Sequence, residues 1–263
     1  MKAVTTRTLH DIKRAQQRFC CVTAYDASFA RVAEAAGIET ILIGDSLGMV
    51  LQGHASTLPV TVADVAYHTR CVSHAVTRPL VIADMPFMSY GSTAETLQNA
   101  AELMRAGAHM VKLEGGAWLF ESVKALTERG VPVCGHLGLT PQSVNSFGGW
   151  IVQGRNPEDA ERILADAQGL QDAGASMLVL ECVPRELAAR VTARLSIPVI
   201  GIGAGNATDA QVLVMHDLLG MNPRPPRFVR NFLAEGGSIQ GALEAYAKAV
   251  REGSFPGPEH GFD

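Results

Sequence analysis

The side chains that could do chemistry stand at the ends of short apolar segments. Five consecutive segments carry such a residue, namely Asp45, Asp84, Glu114, His136 and Glu181. In a β-strand alternate side chains share a face, so each of these groups would continue one face of its strand. A single acid at a strand end is usually a turn former or a helix cap. Five in succession instead favour a shared site.

Three of these acids indicate a cation site. Asp45, Asp84 and Glu114 come from neighbouring segments, and their charges would repel one another without a cation between them. Ligation by oxygen alone suits Mg²⁺ or Mn²⁺ rather than zinc. Because Mg²⁺ often takes only one or two carboxylates directly, Glu114 could act through a water molecule.

The neighbouring side chains suggest a substrate site. Lys112 lies on the same strand face as Glu114, where its charge could hold a carboxylate or an enolate oxygen, or simply pair with an acid. Ser46 could meet a substrate carboxylate or form a turn, and His136 could donate a hydrogen bond to a substrate oxygen. Glu181 stands two strands away from Glu114 and is the candidate general base.

Eight apolar segments, each bounded by Gly, Pro or polar residues, are typical of buried parallel strands. They are Phe19–Tyr25, Thr40–Asp45, Leu80–Pro86, His109–Gly115, Val131–Leu137, Met177–Cys182, Pro198–Gly203 and Gln211–His216. Helical patterns fill most of the gaps: Ala27–Ala36, Val60–Val76, Thr93–Ala106, Trp118–Arg129, Pro157–Ala173, Pro184–Leu195 and about Arg227–Arg251.

This alternation predicts a (β/α)8 TIM barrel in one domain over residues 1–263, close to the usual length of about 250 residues. The seventh and eighth segments begin at residues 198 and 211, so the unit between them is too short for a full helix. An open, doubly wound sheet is the competing fold. In a barrel the carboxyl ends of all strands meet at one rim, where active sites lie.

Composition excludes several classes of protein. The net charge of −4 and the lack of a basic stripe argue against a nucleic-acid partner. No apolar run approaches the roughly 18 residues of a membrane span, and the amino terminus lacks a secretory apolar region, so we expect a cytoplasmic protein. Five cysteines without a CxxC motif favour buried thiols. The segment Gly201–Asn206 (GIGAGN) lacks the spacing of a dinucleotide loop.

Longer motifs then follow one another along the chain. They include TAYDASFA (Thr23–Ala30), GDSLGM (Gly44–Met49), ADMPFMSY (Ala83–Tyr90), AGAHMVKLEGG (Ala106–Gly116), VPVCGHLGLTPQSVNSFGG (Val131–Gly149) and LECVP (Leu180–Pro184). In these motifs the chain resembles the ketopantoate hydroxymethyltransferase family, from about Thr23 to the tail. The resemblance implies a barrel of the phosphoenolpyruvate/pyruvate superfamily type.

The resemblance also implies an activity. The family transfers a one-carbon unit from 5,10-methylenetetrahydrofolate to 3-methyl-2-oxobutanoate. The product is 2-dehydropantoate (ketopantoate), a precursor of pantothenate and coenzyme A. The family needs Mg²⁺ and forms decamers, so we expect a homo-oligomer that binds these two small molecules.

Residue by residue, the resemblance assigns roles that agree with the chemistry above. It implies metal ligation by Asp45, Asp84 and Glu114, and a proton acceptor at Glu181. The predicted substrate site comprises Asp45, Ser46, Asp84, Lys112 and His136. The expected mechanism is an enolate stabilised by Mg²⁺, with Glu181 as the base.

Two other functions remain open at this stage. A lyase or mutase of the same superfamily would use the same carboxylates on another 2-oxo acid. A metabolite-binding protein without catalysis would not need a separate base. The sequence does not locate the folate site, for which the segments Leu51–Pro59 and Gly138–Arg155 are the candidates.

Overall fold

Eight parallel strands form a closed barrel in the computed structural model, which describes residues 2–263. Each strand pairs with the next, and β1 closes the sheet by pairing with β8. The strands are β1 Phe19–Thr23, β2 Thr40–Ile43, β3 Leu80–Asp84, β4 Met110–Glu114, β5 Val133–Gly138, β6 Met177–Glu181, β7 Val199–Ile202 and β8 Ala210–Leu213. The predicted barrel is therefore confirmed, and the open sheet is excluded because β1 and β8 pair.

Strand residues alternate between two buried layers. Phe19 and Cys21 belong to the cluster inside the barrel, whereas Cys20 and Val22 belong to the layer between strands and helices. The inner cluster also holds Leu80 and Ile82 of β3, so the next residue in that row, Asp84, points inward at the carboxyl end of the strand. The same alternation directs Glu114, His136 and Glu181 to the inside of the rim. The predicted face was wrong for Asp45, because Ile41 and Ile43 lie in the outer layer, Leu42 lies inside, and Asp45 follows the end of β2.

Helices occupy most of the gaps between strands. Those of at least two turns are Thr6–Arg14, Ala27–Ala35, Val62–Ser73, Thr93–Arg105, Phe120–Thr127, Pro157–Asp172, Arg185–Arg194 and Ile239–Glu252. Single helical turns are Leu47–Val50, Val144–Phe147, Met215–Leu218 and Leu233–Gly236, and 3₁₀ turns are Ala117–Leu119, Pro141–Ser143 and Pro258–His260. Between β7 and β8 residues 203–209 contain no helix, as the short spacing predicts.

The predicted last helix, Arg227–Arg251, was wrong in its first half. A single turn over Leu233–Gly236 ends at Gly237, whose φ of +66° is left-handed and cannot continue a helix. Ser238 then caps the new helix by accepting a hydrogen bond from the Gly241 N–H. The predicted eighth strand also extended too far, because β8 ends at Leu213 and the turn Met215–Leu218 follows it.

The helix Thr6–Arg14 was not predicted, and it lies against the amino-terminal end of the barrel. Leu9 is fully buried within the inner cluster. Lys13 forms an ion pair with Asp209, the residue before β8, at 2.7 Å. Leu9 and Ile12 are its only apolar residues, so the segment is mostly polar and gives a weak apolar signal, which is why the pattern of the sequence did not reveal this helix.

Replacing Leu9 by Ala should therefore lower the free energy of unfolding by about 2–5 kcal/mol, because a cavity would open beneath the barrel. Chemical denaturation measures this loss. Arg7→Ala is the matched control, since Arg7 lies on the exposed side of the same helix. Equal stability of the two variants would show that the helix does not seal the core.

The carboxyl-terminal tail packs against the rim of the barrel. Phe262 forms a β-bridge with Pro184, and its carbonyl accepts a hydrogen bond from the Arg185 N–H at 3.0 Å. Phe255 is almost fully buried. In the described part of the chain, no helix combines the length and the apolar character needed to cross a membrane.

Candidate active site

Strand register brings most of the predicted site residues together at the carboxyl rim. Asp84 of β3 lies beside Lys112 of β4, and Glu114 lies beside His136 of β5. These four side chains and Asp45 are at most 4% exposed. Glu181 closes the series on β6, where its side chain is 14% exposed.

The first acid sits directly after β2. The Asp45 N–H donates to Asp84 Oδ2 at 2.9 Å, which ties the end of β2 to the end of β3. A glycine precedes Asp45, and a Cβ at Gly44 would lie 2.8 Å from Ser46 Oγ and 3.5 Å from Asp84 Oδ2. The sequence Gly-Asp-Ser therefore lets the backbone pass close to the carboxylates.

Lys112 is the cationic centre of the cluster. Its Nζ lies 2.7 Å from Asp84 Oδ1 and 3.6 Å from Glu114 Oε1. Burial lowers the pKa of Lys112, but the charges of Asp84, Glu114 and Asp45 outweigh burial and raise the pKa well above its usual value. The ammonium group is therefore charged. In this structure it pairs with acids, one of the two roles that the sequence allowed, the other being to hold a substrate oxygen.

His136 connects the cluster to Glu181. Its Nδ1 lies 3.3 Å from Glu114 Oε1, and its Nε2 lies 3.4 Å from Glu181 Oε2. Burial and Lys112 lower the pKa of His136, but the two flanking carboxylates outweigh them and raise it to about 9. The imidazole thus lies between one carboxyl of the acidic cluster and the candidate base.

The acids carry more charge than their partners neutralise. Burial, followed by the charges of Asp84 and Glu114, raises the pKa of Asp45 well above its usual value. Burial also raises the pKa of Asp84, although Lys112 opposes it. Burial would raise the pKa of Glu114 as well, but Lys112 and His136 lower it below its usual value.

These properties fit a hard divalent cation. Glu114 Oε1 is buried without a hydrogen-bond partner in the described structure, and the donor set is all oxygen. Within residues 2–263, however, no three His, Cys, Asp or Glu side chains already have the spacing of metal ligands. The arrangement therefore suits one or two direct carboxylate ligands, with waters or substrate oxygens completing the shell.

Ser46 stands beside the cluster rather than within its ion pairs. Its hydroxyl lies 2.8 Å from the hydroxyl of Tyr25, which follows β1 and is buried. Sequence reasoning missed Tyr25, although TAYDASFA was noted. It also missed Tyr90 and Gln142, which hydrogen-bond with each other at the rim.

A cavity of about 290 Å³ lies elsewhere on the rim, between the tail and the start of the helix Arg185–Arg194. Arg185, Asn206 and Pro258 line it, and none of the predicted site residues does. The cluster itself is nearly closed to solvent. The chemistry of the side chains, rather than the size of the opening, identifies the candidate active site.

Comparisons with known proteins show the family to which the chain is similar. A family model described as ketopantoate hydroxymethyltransferase matches residues 3–258. The 3-methyl-2-oxobutanoate hydroxymethyltransferase of Shewanella amazonensis is 58% identical over 264 residues, and the match covers 100% of both chains.

Solved structures share the fold at low sequence identity. A 2,3-dimethylmalate lyase of the PEP mutase/isocitrate lyase superfamily has a TM-score of 0.61 at 17% identity, covering 95% of this chain and 100% of its own. A phosphonopyruvate hydrolase in complex with oxalate and Mg²⁺ has a TM-score of 0.62 at 13% identity, covering 98% of this chain and 93% of its own. These likenesses confirm the barrel fold.

Proposed function

The chain belongs to the ketopantoate hydroxymethyltransferase family, and we propose that the rim cluster is where it performs that reaction. The reaction is the transfer of a hydroxymethyl group to 3-methyl-2-oxobutanoate. The donor in this proposal is 5,10-methylenetetrahydrofolate, and the cofactor is Mg²⁺. A phosphonopyruvate hydrolase of the same fold has been solved with Mg²⁺ and oxalate, which supports the choice of metal.

The cation in this proposal is held by Asp45 and Asp84, with Glu114 bound directly or through water. All three carboxyl groups are buried, and they outnumber the single ammonium group of Lys112 among them. When bound, Mg²⁺ supplies Lewis-acid stabilisation of the negative charge that develops on a 2-oxo acid. The pair of adjacent substrate oxygens would complete an otherwise unfilled shell.

Glu181 is the base that takes the C3 proton of 3-methyl-2-oxobutanoate. The observation that carries this assignment is its separation from the other acids: His136 lies between Glu181 and Glu114, at 3.4 Å and 3.3 Å. A carboxyl outside the cation cluster stays free to accept a proton. The resulting carbanion is delocalised as an enolate, whose C3 carbon forms a bond to the one-carbon unit of the folate. In the net reaction both bonds from that carbon to the folate nitrogens break, one water supplies the hydroxyl group, and tetrahydrofolate leaves with the C3 proton and the remaining water proton on its nitrogens.

Lys112, His136 and Ser46 bind and orient the substrate. The Lys112 ammonium already lies among carboxylates, so it can stabilise a substrate oxygen that gains negative charge. His136 directs Nε2 toward Glu181, so it can hold the Glu181 carboxylate in position for proton transfer. The Ser46 hydroxyl, held by Tyr25, is placed to donate to the substrate carboxylate.

Proton NMR of the complete reaction tests this function. With Mg²⁺, 3-methyl-2-oxobutanoate and methylenetetrahydrofolate, we expect a new hydroxymethyl signal, and we expect EDTA to abolish it. A lyase or mutase would instead consume a 2-oxo acid without folate. Binding of the oxo acid with no turnover, even with folate and Mg²⁺ present, would refute the proposal.

The oligomeric state, the domain organisation and the location are further expectations, of which only the oligomer rests on the family alone. We propose that the chain forms a homo-oligomer, with the decamer as the expected state, and that residues 1–263 make one domain. Light scattering of the purified protein tests the oligomer, and limited proteolysis tests the domain. The cytoplasmic location stays a prediction.

A further inference from the structure

One uncharged residue contacts two of the three acids of the proposed cation site, one through its side chain and one through its backbone. Gln142 lies in the 3₁₀ turn Pro141–Ser143 after β5, and it is only 6% exposed. Its backbone N–H donates to Glu114 Oε2 at 3.0 Å. Its side-chain Nε2 donates to Asp45 Oδ2 at 2.9 Å and to the Met85 carbonyl at 3.0 Å.

The orientation of this amide is fixed on both sides. Asp45 Oδ2 and the Met85 carbonyl are acceptors only, so the nitrogen of the amide must face them. On the other side, the Tyr90 hydroxyl donates to Gln142 Oε1. Tyr90 is itself held by stacking on Trp118, with ring centroids 5.8 Å apart and planes 10° apart.

From this geometry we infer that Gln142 is a positioning residue for the cation-binding carboxylates. It engages one oxygen of Asp45 and one of Glu114, so each carboxyl is held by a charge-assisted hydrogen bond through one of its two oxygens. The other oxygen of Glu114, Oε1, makes no hydrogen bond in the described structure and faces His136 Nδ1 at 3.3 Å and Lys112 Nζ at 3.6 Å. This inference rests on the proposed function, because it assumes that these acids bind a cation.

The same contacts couple the segment after β5 to the cation. Asp45 follows β2 and Glu114 ends β4, so Gln142 joins three separate parts of the rim. Partners of metal ligands that orient them typically contribute about 10–100-fold to metal affinity. Coupling between two binding events is reciprocal, so a bound cation also stabilises the position of the turn.

Mn²⁺ binding, followed by electron paramagnetic resonance of the free ion, tests the inference without reference to activity. Gln142→Ala should raise the Mn²⁺ dissociation constant by about 10–100-fold. Tyr90→Phe removes only the hydroxyl that orients the amide of Gln142. It should raise the Mn²⁺ dissociation constant less than Gln142→Ala does. The control is Gln153→Ala in the same segment, because the Gln153 side chain donates to the Ile151 carbonyl and not to an acid. This control should bind Mn²⁺ as the wild type does.

The outcomes separate the two claims. If wild-type protein fails to bind Mn²⁺, the proposed cation site is refuted, and the role of Gln142 falls with it. If the wild type binds Mn²⁺ and folded Gln142→Ala binds it equally well, only the positioning role is refuted. Should Gln142→Ala not fold, an unchanged dissociation constant in Tyr90→Phe would overturn the inference instead.

Discussion

Replacing Glu181 by Gln should lower the rate of product formation by about 10²–10⁴-fold, the usual contribution of a general base. Gln has nearly the same shape as Glu but cannot accept a proton. Glu181 lies outside the group of three acids and contacts it through His136. The variant should therefore bind Mn²⁺ and 3-methyl-2-oxobutanoate with the affinities of the wild type, and steady-state rates measured beside Mn²⁺ titrations separate the two effects.

Glu186→Gln is the matched control for this experiment. Glu186 is exposed and lies in the first turn of the helix that follows β6. The control should keep full activity. A Glu181→Gln protein that loses Mn²⁺ binding along with activity would show that Glu181 is a ligand rather than the base.

Replacing Asp45 by Asn should abolish most activity and yet raise the melting temperature of the cation-free protein. We expect activity to fall by at least about 100-fold, since even outer-shell partners of a metal contribute up to that amount. Asn keeps an oxygen that can accept the hydrogen bond from Gln142, so the packing is retained. Weaker Mn²⁺ binding should accompany the loss of activity.

The stability gain follows from the direction of the pKa shift. Burial, and then the charges of Asp84 and Glu114, raise the pKa of Asp45 in the folded state above its unfolded value. Ionised Asp45 therefore opposes folding at neutral pH, and this penalty is relieved as the pH falls through the folded pKa. The advantage of Asn over Asp should accordingly shrink as the pH is lowered.

Thermal unfolding of the two EDTA-treated proteins at several pH values measures this effect. Asp217→Asn is a useful control, because burial also raises the pKa of Asp217, which lies in the turn after β8. This control should leave Mn²⁺ binding intact. A lower melting temperature for Asp45→Asn at neutral pH would contradict the account of the buried charge.

The sequence predicted the barrel because its strands are buried on both faces. Leu80, Ile82 and Asp84 share one face of β3, so the alternation of apolar residues also indicated where the acid would point. The same rule placed Lys112 and Glu114 on one face of β4, whereas the register that sets Lys112 beside Asp84 and His136 beside Glu114 comes from the structure. Position along a strand is a local property, which a single sequence records well.

Contacts made by loops were not predictable in this way. Gln142 reaches Asp45 across 97 positions of sequence, and no local pattern marks a glutamine after a proline as a partner of an acid. Tyr25 and Tyr90 likewise occur in the quoted motifs, but nothing in the sequence predicted their contacts. The helix Thr6–Arg14 was not predicted because its segment is mostly polar, with Leu9 and Ile12 as its only apolar residues. The split before Ile239 depended on the backbone angle of Gly237.

The most direct test of the central claim is exchange of the C3 proton of 3-methyl-2-oxobutanoate in D₂O, followed by proton NMR without folate. With wild-type protein and Mg²⁺, we predict that the methine signal disappears. It should persist when EDTA replaces Mg²⁺ and when Glu181→Gln replaces the wild type. Equal exchange in all three samples would contradict an enolisation site built from the rim carboxylates and Glu181.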